Sequence, residues 1–359
     1  MLRAYKYRLH PTEQQKEYFA NCFGCARFIY NKMLSDKIDY YKETKQMLKN
    51  TPAQYKKEFP FLKDVDSLAL ANTQQNLEKA YKNFFRDKSV GFPKFKSKHK
   101  SKASYTTNNQ GGNIRIEEGK IKLPKVGLVK LKQHKAFEGT IKSCTISMNK
   151  SGKYFVSILV KSEGKETKAV KRKIGIDLGI SDFAITTNDL GKSVKHKNPK
   201  HLYKAEKKLK KAQRSLSRKQ KGGKNRNKAR IQVAKKHEKI ANQRKDFLHK
   251  LTNKITNENQ VIVIETLSSN NLMKNHKLAK SIGDVGWYEF VRQLEYKAKQ
   301  KGRTIIKADR FYPSSQICSA CGHRDGKKPL HIREWDCSNC GEHLDRDINA
   351  SKNLLALAK

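Results

Sequence analysis

Apolar positions recur at helical spacing through the first ninety residues. Across residues 11–34, Phe19, Cys22, Phe23, Ala26, Tyr30 and Met33 fall on one stripe, which predicts an amphipathic helix. The stretch SLALANTQQNLEKAYKNFFR, residues 67–86, repeats the pattern with Leu68, Leu70, Leu77, Tyr81 and the pair Phe84/Phe85. GFPKFKSKHKSK, residues 91–102, breaks the helical text with Gly, Pro and a run of lysines. The period then drops to two. NIRIEEGKIKLPKVGLVKLK and GTIKSCTISMNKSGKYFVSILVKS alternate apolar with polar residues and turn at Glu-Gly and Lys-Ser-Gly, as a strand-rich module or small barrel would.

From residue 171 the pattern changes again. KRKIGIDLGISDFAITTND predicts two adjacent strands around a Gly-containing turn. QVIVIETL, residues 260–267, is a short, almost wholly apolar strand ending in a carboxylate. WYEFVRQLEYKAKQKG follows as an amphipathic helix and RTIIKADRF as another strand. Between these strands lie two long helices parted at KGGKN. Strand and helix alternate, so the second half predicts an α/β core.

Charge changes the picture most. The 359 residues hold 79 Lys+Arg against 33 Asp+Glu, a net charge of +46. Such an excess opposes compaction unless a polyanion neutralises it, and nucleic acid is the polyanion expected. Residues 200–250 alone carry 20 Lys/Arg and three Asp/Glu. A solvated helical hairpin would tolerate that, but a phosphate backbone lying along the helices explains it better. The length allows two ordinary domains, or one with insertions, and 36% hydrophobic residues suffice for real cores. MLRAYKYRLH lacks the apolar centre of a secretory signal, and no apolar run approaches the ~18 residues of a membrane span. A cytoplasmic chain with no membrane partner is expected, its seven cysteines serving as thiols or metal ligands.

Three carboxylates stand at the ends of predicted elements. Asp177 lies in KIGIDLGI, Glu265 closes VIVIE, and Asp347 precedes INASKNLLALA. A carboxylate on an Ile/Val strand is costly to bury unless it is paired or metal-bound. Acids converging at one rim suit Mg²⁺ or Mn²⁺, and a pair of such ions suits phosphodiester hydrolysis. Each acid has a plainer role open to it. Asp177 could satisfy turn amides, Glu265 could pair with a lysine, and Asp347 could cap its helix. Together, on so basic a chain, they favour a nuclease of the RNase H-like kind.

The cysteines form a second constellation. Cys318 and Cys321 in CSAC and Cys337 and Cys340 in CSNC are separated by 15 residues. This is the spacing of a four-thiolate structural zinc site. His323, His331 and His343 are possible substitute ligands, though four thiolates already complete the shell. The ribbon ends just before Asp345, so it should help place DRDIN at the active site. Cys22 and Cys25 form another CxxC pair, but Cys22 sits on the apolar stripe and no second pair lies near, so a buried structural role is expected. Cys144 reads as strand filler.

GIDLGI, the basic helical pair, VIVIETL, YPSSQICSACG, CSNCG and DRDINASKNLL occur in an order that closely resembles the TnpB proteins of bacterial and archaeal transposons, relatives of the type V CRISPR effectors. YKYRLHPTEQQKEYFANCFGCARFIYN and FPKFKSK extend the likeness over almost the whole chain. The resemblance implies an RNA-guided DNA endonuclease that hydrolyses target DNA next to a short adjacent motif. It implies an α/β RNase H-like (RuvC) nuclease domain over residues 171–359, with a zinc ribbon at 315–343. It also implies a recognition lobe over 1–170: a wedge-like β-barrel, residues 1–10 and 100–170, carrying a helical insertion at 11–95. A transposon-encoded guide RNA and double-stranded DNA would be the partners of a monomer acting at the nucleoid. The family's catalytic Asp–Glu–Asp falls on Asp177, Glu265 and Asp347, the third chosen because DINA supplies the shared Asp-x-Asn-Ala element. Asp345 is the runner-up. If the last helix begins at Ile348, Asp345 is better placed to orient Arg346 or Asn349. A guided repressor that lacks cleavage and a transposase or its accessory protein are the competing readings. All three acids are present, and the His-hydrophobe-His chemistry of that transposon group's transposase is not.

Overall fold

The computed structural model describes residues 1–163, 168–329 and 331–358. The chain divides into two compact units, Met1–Gly164 and Lys165–Lys359. No helix of the described residues is long and apolar enough to cross a membrane.

In the first unit β1 (Leu2–His10) leads into α1 (Glu13–Thr44), α2 (Tyr55–Glu58), a 3-10 turn (Pro60–Lys63) and α3 (Ser67–Arg86). Strands β2 (Ala103–Asn108), β3 (Arg115–Glu117), β4 (Lys120–Leu123), β5 (Gly127–Lys132), β6 (Thr140–Met148) and β7 (Tyr154–Lys161) follow. The strands form one antiparallel sheet in the order β2-β6-β7-β1-β5-β4-β3. Its edges are β2 and β3, and among the described residues no pairing between them closes a barrel.

Alternation decides which face is covered: Tyr154, Val156, Ile158 and Val160 of β7 are buried in turn. α1 starts with a capping box, in which the Thr12 hydroxyl accepts from the Gln15 amide and the Gln15 side chain accepts from the Thr12 amide. It brings Phe19, Cys22, Ile29 and Met33 against the sheet, and α3 adds Leu70 and Leu77. Cys22, Cys25 and Cys144 are all buried in this core. Leu70, Leu77 and Tyr81 of the expected α3 stripe are buried, joined by Ala69 and Thr73, whereas Leu68 and Phe84 are half-buried and Phe85 is exposed.

The second unit opens with β8 (Lys173–Leu178), β9 (Asp182–Asn188) and β10 (Ser193–Lys197), then the helical hairpin α4 (His201–Ser217) and α5 (Lys224–Glu258). β11 (Val261–Ile264), the short helices α6 (Ser269–Leu272) and α7 (His276–Val285), α8 (Trp287–Lys301) and β12 (Thr304–Lys307) come next. A small ribbon, β13 (Glu334–Asp336) and β14 (His343–Asp345), precedes α9 (Arg346–Ala356). The main sheet has the order β10-β9-β8-β11-β12, antiparallel from β10 to β8 and parallel from β8 to β12. One face packs Phe183 against Phe247 and Phe290, ring centroids 5.0 Å apart in both pairs, with Leu248 and Leu294 alongside. Leu354 of α9 packs with Val263 and Ala308 in a second cluster. A sheet packed on both faces explains why β8 and β11 read as continuous apolar runs.

Candidate active site and metal centre

β8 and β11 run parallel with Ile176 opposite Ile264. The next residue on each is an acid, so Asp177 and Glu265 reach the same carboxyl edge of the sheet. The Leu178 amide donates to Glu265 Oε1 at 2.6 Å, fixing that carboxylate across the strand pair. Burial is the main force holding the Asp177 carboxyl well above the usual carboxylate range; the negative charges of Glu265 and Asp347 add to it, and Arg346 opposes it. Burial likewise pushes the Glu265 carboxyl up, against the stabilising Leu178 amide and with a further push from Asp347. Three acids distant in sequence therefore share one electrostatic field.

Asp347 arrives on α9, and a glycine lets that helix approach. A Cβ on Gly175 would fall inside the van der Waals envelope of the Ser351 carbonyl and the Leu355 amide. The Thr187 and Ser351 hydroxyls meet at 2.5 Å along the same face. The helix begins at Arg346, two residues earlier than expected, and Asp345 is its N-cap. One Asp345 oxygen accepts from the amides of Asp347 and Ile348 at 3.0 and 2.9 Å, and the other pairs with Lys195 at 2.5 Å. Capping, the alternative open to Asp347, thus belongs to Asp345, whose carboxylate engages these amides and Lys195 rather than Arg346 or Asn349. Asp347 stands in the first turn, with Arg333 Nη1 at 3.6 Å from its carboxylate.

The four ribbon cysteines come together. Their sulfurs all lie within 4.8 Å of one another, with Cys318–Cys340 at 3.8 Å and Cys321–Cys337 at 3.6 Å. A tetrahedral zinc with Zn–S bonds of ~2.3 Å spaces its thiolates by ~3.8 Å, so this cluster fits structural zinc. None of the three histidines joins the group; His343 instead pairs with Asp336 at 2.7 Å. Among the described residues this is the cluster tight enough to hold a metal as it stands, whereas the three acids share an edge without crowding so closely.

The loop carrying Cys318 and α9 are tied by Asn349, the asparagine of the Asp-x-Asn-Ala element, and by Asn353, to which the sequence pattern gives no role. Asn349, buried, accepts from the Ser319 amide at 2.7 Å and donates to the Ile317 carbonyl at 2.7 Å. Asn353 donates to Ser314 and Ile317 carbonyls, both at 2.7 Å. The loop carrying Cys318 is thereby fastened to the helix carrying Asp347.

Three family descriptions match successive parts of the chain: a helix-turn-helix domain over residues 1–46, "Probable transposase" over 156–276, and the Cas12f1-like TNB domain over 287–354. A Streptomyces pristinaespiralis protein named "Putative RNA-guided DNA endonuclease" is 38% identical across 99% of this chain and 89% of its own length. The chain belongs to the TnpB family. It is also similar to "Putative RNA-guided DNA endonuclease InsQ" of Escherichia coli K12, at 31% identity over 99% of this chain and 92% of that one. A TnpB-like protein of Acanthamoeba polyphaga mimivirus, L79, is 24% identical over 52% of this chain and 37% of its own. Among solved structures, the protein of a Cas12f1–sgRNA–target DNA complex superposes with a TM-score of 0.60 at 14% identity, covering 99% of this chain and 98% of that one. At that identity the likeness is one of fold, and the TnpB chain shares the fold of that effector, zinc-ribbon-like domain included.

Proposed function

We infer that this TnpB-family chain is an RNA-guided DNA endonuclease that cuts by metal-dependent phosphodiester hydrolysis. The observation that carries the reading is the meeting of Asp177, Glu265 and Asp347 in one field at the carboxyl edge of a parallel strand pair, on a chain of charge +46. Asp177 and Glu265, which burial and neighbouring negative charge make costly to ionise, form with Asp347 a hard-oxygen donor set for Mg²⁺ or Mn²⁺. When bound there, such ions activate water and offset charge on the leaving oxygen. The protein's part is placement. The Leu178 amide holds Glu265, Gly175 lets α9 bring Asp347 to β8, and the Asp345 cap fixes the first turn from which Asp347 projects.

In this reading residues 171–359 form the nuclease domain, with the ribbon at 315–343 bracing α9. Residues 1–170 form the recognition lobe, its open seven-stranded sheet serving as the wedge and the helices of 11–95 as the insertion. One protein would carry one transposon-encoded RNA, read a short motif beside the target, and act at the nucleoid.

The test is programmed cleavage. The protein is purified with a guide RNA whose 3′ segment matches a plasmid, and cutting is followed with Mg²⁺. Asp177→Ala and Glu265→Ala should abolish cutting while RNA and target binding stay within a few-fold of wild type. Cleavage above a few per cent in either variant would remove the acids from the reaction. A wild-type protein that binds without cutting would be a guided repressor, and joined strands would make it a transposase.

A further inference from the structure

The end of α3 and the segment beyond it carry aromatic rings that the core does not take. Phe85 is 67% exposed and Phe92 43%. Their rings are contiguous. Phe85 stacks on Tyr81 at 6.3 Å, Phe92 meets Tyr81 and Phe84 edge-on at 5.5 and 5.3 Å, and Phe84 meets Phe85 at 5.2 Å. A lone exposed phenylalanine is ordinary, whereas a continuous aromatic face on a soluble surface marks an interaction site.

The ledge is also held in place. Tyr81 beneath it is buried. Asn31 of α1 grips the segment after Phe92 like a second strand, accepting from the Lys96 amide at 2.8 Å and donating to its carbonyl at 2.9 Å. The Lys96 ammonium lies 3.6 Å over the Tyr30 ring. A surface already fixed loses little freedom when a ligand settles on it.

Charge selects the ligand. Residues 79–102 hold nine Lys/Arg and a single acid, Asp87. That carboxylate is engaged by the Ser89 amide at 2.9 Å and hydroxyl at 2.7 Å. Lys82, Arg86, Lys88 and Lys94 stand exposed beside the rings. A second copy of so basic a chain would meet like charge there. A strand of unpaired nucleotides fits both features, since every base has a face to stack and every phosphate a charge to pair. Duplex DNA keeps its bases stacked inside and must be opened to offer one, whereas RNA loops present bases already splayed.

We propose that Phe84, Phe85 and Phe92, backed by Tyr81, form a stacking ledge for unpaired bases of an RNA whose phosphates are held by the flanking lysines. The proposal deepens the function inferred above by giving the guide a point of contact, and rests on it only for which RNA is bound.

The test uses the full chain and a uridine-rich single-stranded RNA carrying 5-iodouridine, which photo-crosslinks to a stacked ring. Adducts are expected on Phe85 or Phe92. The double variant Phe85→Ala/Phe92→Ala should lose roughly tenfold in affinity for the uridine RNA. Its affinity for an abasic RNA with the same number of phosphates should stay unchanged. Both side chains are exposed, so their removal opens no core cavity; Phe85→Trp should keep wild-type affinity and Phe85→Leu should not. Leucine serving as well as phenylalanine, an equal loss on abasic RNA, or adducts confined to DNA of the same sequence would overturn the proposal. So would a wild-type dimer that Phe85→Ala disperses, which would make the ledge a self-association face. Cleavage is not read, so a chain that stacks RNA here but cannot be programmed to cut refutes the nuclease reading alone.

Discussion

Asp345 and Asp347, two residues apart, hold different chemistry because one stands outside the helix and the other inside its first turn. Asp345 accepts two backbone amides, and asparagine, an equally good N-cap, keeps the accepting oxygen. Its pair with Lys195 is partly exposed, the lysine more than the aspartate, so solvent screens part of its contribution. Asp345→Asn should therefore slow single-turnover cutting by less than about tenfold, within ~1.4 kcal/mol of barrier. Asp347→Asn keeps the shape, removes the charge that acts on Asp177 and Glu265, and should eliminate cutting. Rates in the reverse order would move the metal role to Asp345. Asp177 makes a prediction that needs no substrate. Its folded-state pKa is raised by burial and by like charge, so the folded protein binds the proton more tightly than the unfolded chain does. In the absence of divalent cations this contribution lowers stability as pH climbs from the ordinary aspartate value of ~3.9 toward the raised one, and the full penalty is present above it. Asp177→Asn cannot ionise. It should melt at least ~2 °C higher than wild type at pH 8 without divalent cations, with the gap closing near pH 4. A wild type equal to the variant at pH 8 would mean the carboxyl is not destabilised by its surroundings.

At the scale of elements the site depends on how closely α9 can lie on β8. Gly175→Ala inserts a methyl into the Ser351 carbonyl and Leu355 amide, so helix or strand must move. The expected loss is about 1–3 kcal/mol of stability by denaturant melt, the range for overpacking, together with a cleavage defect larger than the stability loss explains. A fully active, fully stable Gly175→Ala protein would show that this contact does not set the geometry. The sequence could not have shown this, because glycine in GIDLG reads equally as a turn residue. Other elements were legible to different degrees. α3 occupies the expected span because its apolar spacing, the Asp66 cap and the Asp87 exit coincide. α1 runs on to Thr44 instead of stopping near Leu34, and it ends at Lys45, which takes the left-handed conformation (φ 57°) usually given to glycine. No residue type announced that stop. The polar strand β10, SVKHK, was invisible because its partner β9 supplies the pairing that its own composition does not. The acids and cysteines were legible because their chemistry is local: a carboxylate closing an apolar strand, and thiols at zinc spacing. The Asn349 and Asn353 contacts were not, since they join a helix to carbonyls 32 to 39 residues away.

Across the whole molecule the charge of +46 must be met by a partner, and the α4–α5 hairpin concentrates it. α4 buries Leu209 alone, and α5 buries nothing before Ile240, so the hairpin's outer half is held by few apolar contacts and is faced with lysine. A surface built for solvent and one built for phosphate look alike in this respect, but they answer salt differently. Each lysine that displaces a counterion from a phosphate backbone adds close to one unit to the slope of log affinity against log salt. Lys207, Lys211, Lys221 and Lys228 are exposed, and among the described residues none is in an ion pair. Changing all four to glutamine should lower affinity for RNA and DNA broadly and reduce the slope by about 1–3 units, with equal effect on unrelated sequences. Thermal stability should hold or rise slightly, because the change relieves repulsion within the hairpin and removes no packed side chain. An unchanged slope would mean that these helices merely face water and that the neutralising contacts lie elsewhere on the chain.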